Sequence, residues 1–180
     1  MTVFLIILSC VLFAGAIWAL ATRIVLAPAL SYIGLVCLSL ATRNGYPLLP
    51  VNGTILAGWF CMTLVVTFTI FLEPQAVMRQ TRGMWYIIVG ALAGLAVGLL
   101  GFTVSASTTL LYSIMILAVA AGIFLGFLFY TRTPDGRPVA PGSGNFFKYL
   151  LAKGFPTAIT VMQIGVVLVL VIALNSVPNV

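Results

Sequence analysis

The sequence predicts an all-α, polytopic integral membrane protein: a bundle of six transmembrane helices with a short interfacial amphipathic helix before the last. Three observations carry this prediction. Hydrophobic residues make up 63% of the 180-residue chain and charged residues only 6%, with a mean hydropathy of +1.27; soluble domains run at about 45–50% apolar and about 25% charged. A soluble domain of ~150 residues still leaves roughly 30% of its chain surface in water, so this much apolar surface calls for lipid as the solvent. The charges fall between apolar runs long enough to cross a bilayer, which takes about 20 residues. Finally, the runs are unbroken rather than alternating, which favours helices over the strands of a barrel.

In chain order the spans cover residues 3–21, 24–41, 53–72, 84–102, 108–130 and 156–174. The first ends at Thr22-Arg23. Its Ala19-Leu20-Ala21 resembles a signal-peptidase site, but the segment has no basic n-region and is long for an h-region, so a retained span is expected. Pro28 sits in the first turn of the second span, where a missing amide hydrogen is tolerated. The third stops at Glu73-Pro74. In the fourth, Gly90, Gly94 and Gly98 recur every four residues, as do Ala118, Gly122 and Gly126 in the fifth. Small residues at that spacing let two backbones approach, which predicts that these two helices pack on each other, with a subunit interface as the other reading. The sixth span opens at Pro156 and carries Thr157, Thr160 and Gln163 on one stripe. Gln163 is its deeply placed amide. An interhelical hydrogen bond is its expected role, with contact to a solute as the other reading.

The connections alternate in charge. Loops one, three and five carry Arg23, then Arg79 and Arg82, then Arg132, Arg137, Lys148 and Lys153, whereas the remaining loops and both tails carry only Arg43. The positive-inside rule therefore places the odd loops in the cytoplasm and both termini outside, in a plasma or inner membrane. Trp18, Trp85, Tyr86 and Tyr130 fall at the predicted cytoplasmic ends, where amphipathic rings favour the headgroup level. The net charge of +6 is read as topogenic and not as a nucleic-acid footprint.

Loop five, residues 131–155, is the longest connection. Thr133-Pro134-Asp135-Gly136 is a turn signal, and Pro141-Gly142-Ser143-Gly144 reads as flexible. Residues 145–153 then form the expected interfacial helix, with Phe146, Phe147, Leu150 and Leu151 on an apolar arc and Lys148 facing away. Gly154 is expected to end it. Arg132, Arg137, Lys148 and Lys153 are the candidates for contact with anionic headgroups or a cytoplasmic partner.

Little in the chain carries chemistry. It has no histidine, which removes the commonest metal ligand and general base. Cys10, Cys37 and Cys61 lie in separate apolar runs and read as buried small hydrophobes. Glu73 and Asp135 lie in different loops, and Glu73 reads as a boundary ion-pair partner for Arg79 and Arg82. Asn52-Gly53-Thr54 matches a glycosylation pattern but abuts a span, so it reads as a chance match. The opposite orientation of the two three-span halves permits an inverted repeat, though no motif recurs between them. No catalytic residue, metal or cofactor is expected. The expected function is a non-enzymatic subunit or scaffold of a membrane complex, whose partners are other integral subunits and a bilayer with anionic headgroups, and not nucleic acid. The alternative is a small transporter or channel for a neutral or lipid-like solute; an intramembrane enzyme ranks last.

Overall fold

The computed structural model of the chain describes residues 2–22, 24–43, 46–47, 51, 53–72, 83–100 and 108–176. Within them the chain is all-helical apart from one minimal strand pairing. The helices are α1 (Thr2–Thr22), α2 (Ala27–Leu40), α3 (Gly53–Leu72), α4 (Met84–Leu100), α5 (Thr108–Thr131), a single turn α6 (Phe146–Tyr149) and α7 (Phe155–Ser176). Between α2 and α3, β1 (Thr42–Arg43) and β2 (Tyr46–Pro47) pair antiparallel, with Thr42 opposite Pro47 and Arg43 opposite Tyr46.

Among the described residues four helices are long and apolar enough to cross a membrane, at Thr2–Thr22, Gly53–Ile70, Leu110–Thr131 and Phe146–Val171. The helices α2, of 14 residues, and α4, of 17, are apolar but shorter. At ~1.5 Å per residue they extend about 21 and 26 Å. In α2 the loss is at the start: residues 24–26 form a turn, and the helix begins at Ala27 with Pro28 in its first turn.

Two antiparallel hairpins, α1/α2 and α4/α5, flank the last helix. In the first, Ser9 Oγ donates to the Gly34 carbonyl at 2.8 Å, and Phe13 packs on Gly34. In the second, Gly90 faces Gly122, Gly94 faces Ala118 and Gly98 faces Met115, so partners descend along α5 as positions rise along α4. The central helix is α7. Two thirds (67%) of its window is buried, against 22%, 17% and 33% for those of α1, α3 and α5. Each of the three apolar clusters contains an α7 residue: Val161 and Val166 join Leu95, Met115 and Val119 between α4 and α5, Val167 joins Leu35 and Leu38 on α2, and Ile159 joins Val66 and Ile70 on α3.

The segment before α7 differs from the separate interfacial helix expected. Residues 146–176 are helical without a break, because Leu150–Gly154 forms a π-helical turn that joins α6 to α7. Pro156 has no N–H for the regular i→i−4 ladder; directly before it the ladder widens, with Phe155 N–H bonding to the Leu150 carbonyl. Gly154 sits inside this turn and is buried, so it does not end the helix. The facing also differs. Phe146, Tyr149, Ala152 and Lys153 turn inward, while Phe147, Lys148 and Leu151 point out. Phe146 thus packs on protein and not on lipid.

Candidate functional site

The deepest polar cluster is built around Gln163, which is fully buried in α7. Its Nε2 donates to Thr63 Oγ1 of α3 at 3.0 Å, and its Oε1 accepts from Ser31 Oγ of α2. Ser31 and Thr63 also reach their own backbones, at the Pro28 carbonyl (3.0 Å) and the Trp59 carbonyl (2.8 Å). One amide thereby ties three helices. Thr157, on the same α7 stripe, donates to the Lys153 carbonyl at 2.7 Å. Thr160 is also buried, and its hydroxyl has no hydrogen-bond partner. Sequence reasoning singled out the Gln163 stripe but not Ser31 or Thr63. Hydroxyls are too common in apolar helices to stand out, and only the facing amide distinguishes these two.

The second cluster is aromatic. Tyr149 stacks on Phe127 (5.2 Å between ring centres, 16° between planes) and on Tyr130 (5.8 Å, 22°), and Phe146 lies 5.1 Å from Phe127. Offset ring pairs of this kind contribute about 0.5–1.5 kcal/mol beyond area burial. Lys153 caps the cluster, its Nζ 5.5 Å from the Tyr149 ring centre. Two expectations change here. Tyr130, placed at the headgroup level from sequence, is 2% exposed. Lys153, grouped with the surface cations, is 3% exposed and lies against a ring face, whereas Arg132, Arg137 and Lys148 are exposed.

Loop five is folded back over this cluster. A 3-10 turn, Pro134–Val139, follows α5, and Val139 enters the main core. The Tyr130 hydroxyl donates to the Asp135 carbonyl at 3.2 Å, and Thr133 Oγ1 donates to the Tyr130 carbonyl at 2.7 Å. Gly136 sits so close to that carbonyl that a Cβ would lie 2.0 Å from its oxygen, so no larger residue fits there unchanged.

The third feature is the seam between α4 and α5. A Cβ on Gly90 would lie 2.3 Å from the Gly122 oxygen, and one on Gly122 would lie 2.2 Å from the Gly90 oxygen. Gly94 and Gly126 meet the carbonyls of Ala118 and Tyr86 in the same way, each at 2.2 Å. Gly98 lies against the Met115 Cα. Glycine Cα hydrogens against facing carbonyl oxygens are the recurring arrangement of weak Cα–H···O bonds in close helix pairs. Gly90, Gly94, Gly98, Gly122 and Gly126 are thus brought together within the chain.

Other sequence candidates fall elsewhere. Cys10 and Cys61 are exposed on the outside of the bundle and Cys37 is half-buried, all three as free thiols, which differs from the buried placement expected. Among the described residues no group of three or more His, Cys, Asp or Glu side chains is placed to hold a metal. Arg23, Asn52, Glu73, Arg79 and Arg82 lie outside the described residues, as does the side chain of Arg43. Compared with known proteins, the chain matches no family model, no curated protein and no solved structure.

Proposed function

We propose that the protein is a non-enzymatic integral membrane subunit that crosses the bilayer six times, packs its outer helix faces on partner subunits and carries a basic, folded loop on the cytoplasmic side of a plasma or inner membrane. The hairpins support six crossings: each short apolar helix, α2 or α4, runs antiparallel beside a long one, α1 or α5, that is long enough to span. With loops one, three and five cytoplasmic, Arg132, Arg137 and Lys148 stand exposed at the leaflet that carries anionic lipid, each contributing about 1 kcal/mol of attraction.

The observation that carries the subunit reading is the placement of Gln163. The side chain is fully buried, and each end of its amide already holds a bond to a neighbouring helix, Oε1 from Ser31 and Nε2 to Thr63, so it is held between helices and not turned to an open path. The interior then works as packing, and interaction surface lies outside. The most open spanning helix is α3, with Phe60, Leu64 and Phe68 turned outward and Phe68 71% exposed. Extraction of the tagged full chain from its native membrane in a mild detergent is expected to bring down stoichiometric integral partners. A chain recovered alone in each of several mild detergents overturns the subunit reading.

A small facilitator for a neutral or lipid-like solute is the second reading, favoured by the unpartnered, buried Thr160 hydroxyl one turn from Gln163. Liposome flux that is lost in Thr160→Val, with folding intact, supports it; an absence of flux in the parent chain removes it.

A further inference from the structure

On the outward face of the α4/α5 pair, above the seam, lies an open apolar groove of about 750 Å3. Its lining runs from Trp85 to Val97 on α4 and from Phe129 to Ala118 on α5. Twelve helical steps at ~1.5 Å make it about 18 Å long. The hydrocarbon core of a bilayer is ~30 Å thick, so one leaflet supplies about 15 Å. The groove therefore has the depth of a single leaflet. An acyl chain of one leaflet has the length to lie along it.

One end of the groove is chemically distinct. Trp85 and Phe129 form its lips there, and the Arg132 guanidinium lies over the Phe129 ring, 5.9 Å from its centre. Arg132 is exposed, and Trp85 is 66% exposed. A cation and an indole at the mouth of a leaflet-deep apolar slot are complementary to a phosphate joined to a hydrocarbon chain, and a guanidinium presents paired donors that match phosphate oxygens.

We infer that this groove binds one acyl chain of an anionic phospholipid, whose phosphate rests on Arg132. The site rests on the membrane reading above and is independent of partner subunits. Ala93 and Ala121 line the groove and are exposed in it, off the glycine contacts, so a larger side chain at either fills the slot without entering the seam.

The test is native mass spectrometry of the full chain released from nanodiscs that contain equal amounts of phosphatidylglycerol and phosphatidylcholine with identical acyl chains. One phosphatidylglycerol per chain is expected, retained about fivefold over phosphatidylcholine, the factor that one basic residue supplies at ~1 kcal/mol. Arg132→Gln is expected to equalise the two lipids while a lipid is still held. Ala121→Phe is expected to lower retention of both about tenfold through the lost chain contacts, and Ala93→Phe repeats the test from the other wall should the first variant misfold. Equal retention of the two lipids by the parent chain overturns the proposal, as do phenylalanine variants that keep the lipid. So does Ala121→Cys, in a chain whose native cysteines are replaced by alanine, if it cross-links to another polypeptide in native membranes. A chain that is monodisperse in buffer without amphiphile instead sinks the membrane reading itself, and the two failures are distinguishable.

Discussion

Gln163 Nε2 and Thr63 Oγ1 lie 3.0 Å apart across 100 residues of sequence, joining α7 to α3 inside an apolar bundle. The bond does more than satisfy one amide. It sets the rotation of α7, because the same side chain must also meet Ser31 on α2. On a helix that is largely apolar all round, these bonds add to side-chain packing in selecting the facing.

Replacing that amide tests the packing role. Gln163→Leu is expected to destabilise the fold by about 1 kcal/mol, between the ~0.6 kcal/mol average and the ~1.7 kcal/mol maximum for hydrogen bonds between membrane helices. The loss stays small because Ser31 and Thr63 retain bonds to the Pro28 and Trp59 carbonyls. Reversible unfolding in mixed micelles measures it, and a variant as stable as the parent contradicts the structural role.

The glycine seam is far less forgiving. Gly90→Val places side-chain carbon against the Gly122 backbone, where a Cβ already lies 2.3 Å from oxygen, so the two helices must separate. Overpacking costs about 1–3 kcal/mol where side chains can move, and more is expected here because the obstacle is backbone. Gly58→Ala is the control: nothing lies within 4 Å of its added Cβ. It is expected to be neutral or to stabilise by up to about 1 kcal/mol through helix propensity. Thermal unfolding of both variants in one detergent checks the contrast.

Tyr149→Ala removes the ring that stacks on Phe127 and Tyr130 and underlies Lys153. A loss of about 3–5 kcal/mol is expected, as for other large aromatic truncations. Loop five should then lose its anchorage, and tryptic cleavage after Lys148 should accelerate markedly relative to the parent. Unchanged cleavage would mean that the loop is held by other contacts.

Topology is open to direct labelling. In a chain whose native cysteines are replaced by alanine, Arg43→Cys and Lys148→Cys are expected to react with a membrane-impermeant maleimide from opposite faces of sealed vesicles. Labelling of both from one face contradicts the six-crossing arrangement.

Much of the architecture was legible in the sequence, and what was not has a common cause. The long apolar helices follow from composition and charge placement, and the recurrence of Gly90, Gly94 and Gly98 opposite Ala118, Gly122 and Gly126 carries the geometry of the α4/α5 contact in its spacing. Lys153 was misplaced because a lysine beside a span ordinarily seeks headgroups; the π-helical turn before Pro156 rotates it inward over Tyr149, and no residue pattern announces that rotation. Tyr130 and Phe146 were assigned to the interface for the same reason: an aromatic near a helix end suits a lipid boundary and a protein interior equally well.

Hydropathy alone settled that the chain is helical and apolar enough for lipid, where its long helices run and where charge is excluded. It was silent on the centre of the bundle, on the third and second helices meeting at Gln163, and on the leaflet-deep groove beside the glycine seam. The reason is physical. In water, polarity distinguishes the outside of a helix from its inside; in hydrocarbon, lipid tails and neighbouring helices are alike to a leucine. Facing is then chosen by shape, by a few hydrogen bonds and by close backbone approach, and these arise only once the helices have met.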